Sequence, residues 1–203
     1  MKKYILGDFQ VNTYLLNYRK DAFLIDPGYE ADFLLNELKD FNLKGILLTH
    51  GHLDHIDEIG SFSCPIYIHK DDIDALMNEN ISGYTYFGST PKYQFSKLNI
   101  IPLDNNSEIF LGPDPIKVIH TPGHTKGSSC FLYQNRLFTG DTLFRNDVGR
   151  TDLLGGNNQS LRKSINLIFD KTPDYIKIYP GHGENSNIKY ERENNLFYKT
   201  IRK

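Results

Sequence analysis

The sequence predicts an α+β protein in which β-sheets pack together and carry helices on their outer faces. Short apolar runs broken by turn residues cluster along the chain, and segments with helical spacing follow such runs in both halves. That order is typical of packed sheets under an outer layer of helices. A chain of 203 residues has the length of one domain, and we expect a single domain over residues 1–203.

Strands dominate the first part of the chain. Three apolar runs bounded by turn residues predict an antiparallel meander, namely KKYILG, NTYLLNY and AFLIDPG. Residues 30–41 place four apolar side chains at helical spacing and predict the first helix. The run GILLT predicts a buried strand, and Asp54 is expected to cap the short helix that begins in DHIDEIGSF.

The remaining elements alternate in the same way. IYIH predicts a strand and KDDIDALMNE a helix, whereas residues 80–97 are aromatic, rich in Gly and Ser, without a clear period, and predict a loop. Strands are expected to resume at EIFLG, IKVIHT, SSCFLY and RLFTG. QSLRKSINLIFD then predicts a helix, IKIYP a strand, and KYERENNLFYK a final helix.

The bulk composition argues against several classes of partner. The 23 basic and 25 acidic residues are scattered and nearly balanced, so we expect no binding to nucleic acid or to an anionic membrane. The N-terminal apolar run is too short for a signal peptide, and we expect a cytoplasmic protein. Cys64 and Cys130 are expected to be reduced thiols, with Cys130 buried in a strand. The oligomeric state stays open.

Histidines and aspartates collect where predicted strands end. Five of the seven histidines lie in three short motifs, HGHLDH after GILLT, TPGH after IKVIH, and PGHG after IKIY, and FTGD ends another strand with an aspartate. Sites of such folds form beyond strand ends, where loops converge, so we expect these four loops to meet. They supply seven candidate ligands: His50, His52, Asp54, His55, His124, Asp141 and His182.

The chemistry of these side chains predicts a metal site. Imidazole and carboxylate bind divalent ions such as zinc, and a closed structural zinc site is expected to use mainly cysteine, which is absent from these motifs. Seven ligands can hold two metals and leave room for water, which suits hydrolysis. His69 and His120 lie outside the motifs, and we expect structural roles for both.

At this point the chain resembles the metallo-β-lactamase-fold hydrolases. The resemblance lies in HGHLDH, TPGHTKGSSC, TGDTLF, GRTDLLGG and YPGHG, and within that superfamily these motifs are most similar to the short glyoxalase II-like branch. It implies an αββα sandwich of two mixed sheets with a dinuclear site at one edge. It also implies one metal on His50, His52 and His124, and a second on Asp54, His55 and His182. Asp141 is then the bridging ligand.

The resemblance implies a metal-dependent hydrolase that cleaves a small thioester, as a hydroxyacylglutathione hydrolase does. The cofactors are then two divalent ions, with zinc ahead of iron or manganese, and a hydroxide that bridges them attacks the acyl carbon. Asp54 is the catalytic residue that orients this hydroxide, besides being a ligand. A thiolate leaving group, with a pKa of about 8.5, needs little general acid, and the sequence shows no dedicated one.

Departures from the family pattern leave the substrate open. Full-length glyoxalase II enzymes carry a helical region that binds glutathione, and nothing similar follows His182 here. Secreted β-lactamases of this fold lack the bridging aspartate. One alternative is a mononuclear iron persulfide dioxygenase, which shares GRTD but usually has Asp-Tyr after the last histidine, where this chain has Gly183. Another is a non-catalytic metal or metabolite sensor.

Four residues are candidate substrate contacts. Arg145 and Arg150 follow Asp141 closely and could bind a substrate carboxylate, or they could hold the loop, with Arg150 paired to Asp152 or Asp26.

The other two candidates lie in different loops. Lys126 follows the ligand His124, and Tyr84 belongs to the aromatic segment 80–97. That segment could cover the site as a flap, or it could form hydrophobic packing or an interface.

Overall fold

The computed structural model describes residues 1–105 and 107–202. They form two six-stranded mixed sheets packed face to face, with helices outside. The predicted αββα sandwich is therefore confirmed.

The first sheet is built from the N-terminal half of the chain, in the order β1-β2-β3-β4-β5-β6. Its first two pairs are antiparallel, as expected for a meander, and the pairs from β3 to β6 are parallel. The strands are β1 (Lys2–Leu6), β2 (Val11–Tyr18), β3 (Asp21–Ile25), β4 (Asn42–Leu47), β5 (Ile66–His69) and β6 (Ile100–Leu103).

The second sheet follows in the order β12-β11-β10-β9-β8-β7. All its pairs are antiparallel except β10 with β11, which run parallel. The strands are β7 (Glu108–Leu111), β8 (Asp114–His120), β9 (Ser129–Tyr133), β10 (Arg136–Gly140), β11 (Lys177–Pro180) and β12 (Ser186–Asn187).

The helices are mostly short. They are α1 (Ala31–Glu37), α2 (Leu53–Ile56), α3 (Tyr84–Phe87), α4 (Asn158–Lys171), α5 (Ile188–Asn194) and α6 (Leu196–Ile201). Three 3-10 helices span Ile59–Ser61, Lys70–Leu76 and Phe95–Lys97. No helix in the described part of the chain is long and apolar enough to span a membrane.

Three apolar clusters hold these layers together. The inner cluster fills the space between the sheets with aromatic side chains such as Tyr14, Phe131 and Phe138. A second cluster packs α1 against the outer face of the first sheet, through Leu34 among others. The third packs α4 against the second sheet, as Phe169 shows. Burial of this apolar surface is the main force that stabilises the sandwich.

Two local predictions were wrong because tertiary contacts override local spacing. The segment KDDIDALMNE forms a 3-10 helix, in which the buried Asp72 carboxylate accepts bonds from the amides of Gly51 and Gly127 at 3.0 and 2.6 Å. The C-terminal segment forms two helices, because Asn195 has extended backbone and its side chain accepts a bond from the Tyr198 amide.

Three further expectations need correction. The segment 80–97, predicted as a loop, contains α3 and a 3-10 helix. Strand β6 was missed because it contains Pro102, which is tolerated at the edge of a sheet. Asp54 does not cap α2, since the residue before the helix is His52 and no side chain caps it.

Candidate metal centre

The four predicted loops meet at one edge of the sandwich. They leave the carboxyl ends of β4, β8, β10 and β11, and they bring together all seven candidate ligands. The two sheets are joined here by a bond of 2.7 Å from the Asn12 amide to the Gly181 carbonyl and by a bridge between Val11 and His182. Convergence of strand-end loops, as expected from the sequence, therefore builds the site.

Three imidazoles form the first cluster. Nε2 of His124 lies 3.2 Å from Nε2 of His50 and 2.8 Å from Nδ1 of His52. All three rings are buried. Three ring nitrogens that point at one another at these distances form the ligand group expected for a divalent cation.

The outer nitrogens of two of these rings show where the protons lie. Nδ1 of His124 donates to the Arg150 carbonyl at 2.8 Å. Nδ1 of His50 lies 3.0 Å from the Thr49 hydroxyl, which itself donates to Asp26 at 2.7 Å, so the imidazole is the donor. Because both rings carry their proton on Nδ1, their Nε2 atoms point lone pairs at each other. A cation between the two Nε2 atoms would relieve this repulsion.

Two imidazoles and a carboxylate form the second cluster. Oδ2 of Asp54 lies 3.5 Å from Nε2 of His55 and 3.2 Å from Nε2 of His182. The other ring nitrogen of His182 donates to the Phe9 carbonyl at 3.0 Å, which orients the ring with Nε2 toward the cluster. The sequence-adjacent ligands of HGHLDH are thus divided between two clusters, with His50 and His52 in one and Asp54 and His55 in the other.

Asp141 lies between the clusters. Its Oδ1 is 3.5 Å from Nε2 of His55, and its Oδ2 is 3.6 Å from Nε2 of His124 and 3.5 Å from Nε2 of His182. Only glycine fits at position 181, since a Cβ there would lie 2.2 Å from Oδ1 of Asp141. One carboxylate therefore reaches both groups of imidazoles.

The electrostatics of the two clusters differ. Burial, reinforced by neighbouring imidazoles, lowers the pKa of His52 to about 3 and that of His124 to about 4, so these rings are neutral at pH 7. Burial also opposes protonation of His55, but the carboxylates of Asp54 and Asp141 outweigh it and raise the pKa of His55 to about 10. The second cluster therefore stabilises positive charge, which a divalent cation can supply.

Buried ligand atoms without a hydrogen-bond partner give a second reason to expect a metal at this site. Nε2 of His55 and Oδ1 of Asp141 are buried without a hydrogen-bond partner among the described residues. Buried polar atoms are normally hydrogen-bonded, so orphaned ligand atoms aimed into one site indicate a missing electrophile. The His and Asp clusters are thus able to bind divalent metals, as predicted.

Asp26 contacts two of the metal-ligand histidines, directly or through Thr49, and the sequence alone did not indicate this role. Its carboxylate accepts bonds from the Thr49 amide at 2.8 Å and the Thr49 hydroxyl at 2.7 Å, and Oδ2 lies 3.1 Å from Nδ1 of His55. It thereby orients His55 directly, and His50 through the Thr49 hydroxyl. A buried aspartate with a φ of 51°, in the turn after a strand, is the local sign of such a role.

A pocket of about 240 Å³ opens onto the two clusters. Its wall combines five ligands with apolar side chains, one serine and one arginine: His52, Asp54, His124, Asp141, His182, Phe9, Leu53, Phe87, Leu153, Ser82 and Arg150. Of the four candidate substrate contacts, Arg150 alone lines this pocket. The Arg150 guanidinium donates two bonds of 2.7 Å to Asp152, so its partner is Asp152 and the alternative pairing with Asp26 was wrong.

The other candidate contacts lie elsewhere. Arg145 pairs with Glu184 and stacks over Tyr190 on the exposed surface. Lys126 lines an adjacent cleft rather than this pocket.

Tyr84 is fully buried, and its hydroxyl donates to Asp57 at 2.9 Å. It anchors the start of α3, and Phe87, the last residue of that helix, lines the pocket instead. Asp57 is itself buried, and the neighbouring Glu58 accepts a bond from the Ala31 amide at 2.6 Å, so both carboxylates have partners within the protein.

His69 and His120 lie outside the two clusters around Asp141, and with Asp71 they form a further group of ligand atoms within 4.8 Å of one another that could hold a metal ion. Their rings stack with centroids 3.8 Å apart and planes 11° apart. His69 Nδ1 accepts a bond from the Asp71 amide at 3.3 Å, and His120 Nε2 donates to the Lys126 carbonyl at 2.8 Å. The pair joins the end of β5 to the end of β8.

This stack predicts a loss of stability in acid. Burial, with the imidazole of His120, lowers the pKa of His69 from 6.5 to about 4, so the unfolded chain binds this proton first. The stabilisation that the neutral His69 ring contributes to the folded state is complete above pH 6.5 and is lost as the pH falls toward about 4. Urea unfolding of chelator-treated protein at pH 7.5 and 4.5 should show a smaller decrease in the free energy of unfolding for His69→Phe than for the wild type. Equal decreases would contradict the assignment.

Comparison with known proteins agrees with this geometry. The sequence model of the Metallo-beta-lactamase superfamily matches residues 6–182. The chain belongs to this superfamily. It is 39% identical to the probable metallo-hydrolase MJ0888 of Methanocaldococcus jannaschii over 194 residues, which is 87% of this chain and 89% of that protein. Membership of this superfamily and the similarity to MJ0888 support the general function of a metallo-hydrolase.

Solved structures of the superfamily share the whole sandwich. BLEG-1, a B3 metallo-beta-lactamase, has a TM-score of 0.88 at 34% identity and is matched over 97% of this chain and 98% of its own. TTHA1623, determined in a di-iron-bound form, has a TM-score of 0.84 at 30% identity, with 97% and 100% covered. ETHE1 from Myxococcus xanthus has a TM-score of 0.78 at 26% identity, with 96% and 82% covered.

Proposed function

We propose that this chain is a dinuclear metal-dependent thioesterase of the glyoxalase II-like type that acts on a small-molecule thioester. The observation that carries the proposal is the position of Asp141, whose Oδ2 lies 3.6 Å from Nε2 of His124 in the first cluster and 3.5 Å from Nε2 of His182 in the second. His50, His52 and His124 would hold one metal, and Asp54, His55 and His182 the other, with zinc proposed ahead of iron or manganese. Two such ions, when bound, acidify water and polarise an acyl carbonyl.

Asp54 has the position of a catalytic carboxylate. It lines the pocket, and Oδ2 is held by the imidazoles of His55 and His182. Burial opposes its ionisation, but these two imidazoles outweigh burial and lower the pKa of the carboxyl. Asp54 therefore stays ionised at pH 7 and can accept a hydrogen bond from the attacking water, which orients the oxygen toward the acyl carbon.

The wall of the pocket favours a good leaving group. It contains no Lys, Tyr, Cys or Glu among the described residues, and Arg150, its one cation, stays protonated and is bound to Asp152. A thiolate leaves without a proton, since its conjugate acid has a pKa of about 8.5, whereas an amine from an amide requires a general acid. This chemistry supports a thioester over an amide such as a β-lactam.

The apolar wall supports an apolar acyl group. Phe9 and Phe87 meet edge to face with centroids 5.1 Å apart, and each is about two-fifths exposed at the mouth of the pocket. Leu53 and Leu153 extend this surface inward. An aromatic and aliphatic wall beside a few convergent polar groups is the usual form of a small-molecule site.

Metal analysis and a substrate panel test the proposal together. We expect about two divalent ions per chain and hydrolysis of simple acyl thioesters, with little activity on the matched oxygen ester, amide or β-lactam. Removal of the ions by a chelator should abolish turnover, and added zinc, iron or manganese should restore it. A fully loaded protein that hydrolyses none of these thioesters would refute the thioesterase assignment and favour a non-catalytic sensor.

A second candidate is a mononuclear iron persulfide dioxygenase. The structural likeness to ETHE1 and the sequence GRTD, which the structure places at Arg150 on the pocket wall, favour it. This alternative predicts one iron per chain and oxygen uptake when a persulfide is added. The second cluster of Asp54, His55 and His182 argues for two metals instead.

A further inference from the structure

Each metal cluster draws its ligands from both sheets. The first cluster takes His50 and His52 from the loop after β4, in the first sheet, and His124 from the loop after β8, in the second. The second cluster takes two ligands from α2, which follows β4, and His182 from the loop after β11. The hydrogen bonds within each sheet do not fix the distance between these ligands, so contacts that cross between the sheets must do so.

The Asp72 carboxylate makes such a contact beside the first cluster. It is buried in the 3-10 helix that follows β5, and its Oδ2 accepts a bond of 3.0 Å from the amide of Gly51, the residue between the first two ligands. The same oxygen accepts a bond of 2.6 Å from the hydroxyl of Thr125, the residue after the third ligand. Oδ1 accepts a bond of 2.6 Å from the Gly127 amide. One carboxylate therefore joins both loops of the first cluster.

Close approach explains why both amide donors belong to glycines. A Cβ at Gly51 would lie 2.4 Å from Cβ of Ala75, and a Cβ at Gly127 would lie 2.7 Å from Cβ of Asp72. A side chain at either position would push its loop away from the 3-10 helix and break the bond to the carboxylate. These two glycines of the ligand loops are therefore fitted to Asp72.

The Asn12 side chain makes the corresponding contact beside the second cluster. It is fully buried in β2, and its Nδ2 donates to the carbonyls of Pro180 and Gly183 at 2.9 and 3.0 Å. These carbonyls lie on either side of His182. The backbone amide of Asn12 donates to the Gly181 carbonyl at 2.7 Å. Three bonds from one residue of the first sheet therefore hold the loop that carries His182.

The other end of the Asn12 side chain shows which of its groups matters. Oδ1 is buried without a hydrogen-bond partner among the described residues, and a buried polar atom in that state is unfavourable. An apolar side chain of similar size would avoid this cost. Donation from Nδ2 to the ligand loop is thus the property that favours asparagine at position 12.

We propose that Asp72 and Asn12 are positioning residues, Asp72 for the first metal and Asn12 for the second. Neither side chain is among the seven ligands. Each holds the loop of a distant ligand at the spacing that its own cluster requires. The inference rests on the proposed dinuclear site and assigns to each half of that site the residue on which it depends.

The two effects are separate because the two residues hold different loops. Asp72 contacts the residues around His124, whereas Asn12 contacts those around His182. Both clusters share the stretch HGHLDH, but α2 within it has its own anchor, since the Leu53 amide donates to the Ser82 carbonyl at 2.9 Å. Loss of the bond between Asp72 and the preceding glycine therefore leaves the second cluster in place.

Variants that retain a single complete cluster test the proposal on the full chain. His182→Ala keeps only the first cluster complete, and His52→Ala keeps only the second. Competition with a chromophoric chelator measures the zinc affinity of each. Adding Asp72→Ala should weaken zinc about tenfold in the His182→Ala chain and less than about twofold in the His52→Ala chain. Adding Asn12→Ala should have the opposite preference.

Matched controls and milder variants keep the result decisive. Asp74→Ala, in the same 3-10 helix but exposed, and Asn17→Ala, farther along β2, should change neither affinity. Asp72→Asn and Asn12→Leu, which keep the side-chain size, should show the same cluster preference if an alanine variant does not fold. Equal weakening of both clusters by one substitution would indicate general destabilisation and overturn the assignment, as would unchanged affinity in both.

This inference and the proposed function can fail separately. Two bound metals and thioester hydrolysis, with zinc affinities that do not depend on Asp72 or Asn12, would reject the positioning roles and keep the thioesterase. Losses of affinity confined to one cluster, in a metal-loaded protein that hydrolyses no thioester, would reject the thioesterase and keep the positioning roles.

Discussion

Replacing Asp141 by asparagine should lower kcat/KM for a thioester by about 10³-fold and leave fewer than two metals per chain. Among the residues that the structure describes, Asp141 is the only carboxylate that lies within 3.6 Å of imidazoles from both clusters. Asparagine keeps the shape but loses the negative charge that offsets two divalent cations. A loss of about 4 kcal/mol of transition-state stabilisation corresponds to that factor, which is the scale expected of metal-ion catalysis.

Steady-state kinetics and elemental analysis on the same preparation check this prediction. Asp170→Asn, on the exposed face of α4, is the matched control and should retain full activity and metal content. Circular dichroism should show that the Asp141 variant is folded, since its substitution is nearly isosteric. Wild-type kcat/KM together with two metals per chain in Asp141→Asn would show that the carboxylate does not join the clusters.

Replacing Asp26 by alanine should reduce metal affinity by about 10-fold to 100-fold, although Asp26 reaches no metal itself. The substitution removes the acceptor of the Thr49 amide and hydroxyl and frees His55 Nδ1. Because these donors are buried, the free energy of unfolding should also decrease, by about 2 to 4 kcal/mol. Metal titration and urea unfolding of the chelator-treated protein measure the two effects.

Asp26→Asn separates orientation from backbone strain. Asparagine tolerates the positive φ of position 26 and keeps one acceptor oxygen, so it should recover most of the stability but only part of the metal affinity. Asp32→Asn, on the exposed side of α1, is the control and should change neither quantity. Full metal affinity in Asp26→Ala would mean that His50 and His55 are held by other contacts.

The local elements show how far sequence patterns reach. Strands β1 to β3 and helix α4 follow from apolar runs and from helical spacing, because each buries one face against a layer of the sandwich. The residues around Asp72 contradict their helical pattern, because three donors from distant segments converge on that carboxylate. A short-range pattern carries no information about such partners.

The pocket wall also combines residues whose sequence character is similar but whose positions depend on tertiary contacts. Tyr84 and Phe87 belong to one aromatic segment and have similar sequence character, yet Tyr84 is buried as an anchor and Phe87 faces the pocket. Gly83 and Gly88, with φ values of 87° and 69°, set the turn that separates their roles. The approach of Phe9 from the β1–β2 turn, which brings its carbonyl to His182, is a contact across 173 positions.

By itself the sequence determined the fold class, the strand-end position of seven metal-ligand side chains and the family resemblance, because these depend on residue type and short spacing. Only the tertiary structure decided how the ligands divide into two clusters, that Asp26 holds His55, and which arginine faces the pocket. These outcomes depend on loops from both sheets meeting at one edge, where distances of about 3 Å join residues more than a hundred positions apart. Such distances follow from packing of the whole chain, which local sequence does not encode.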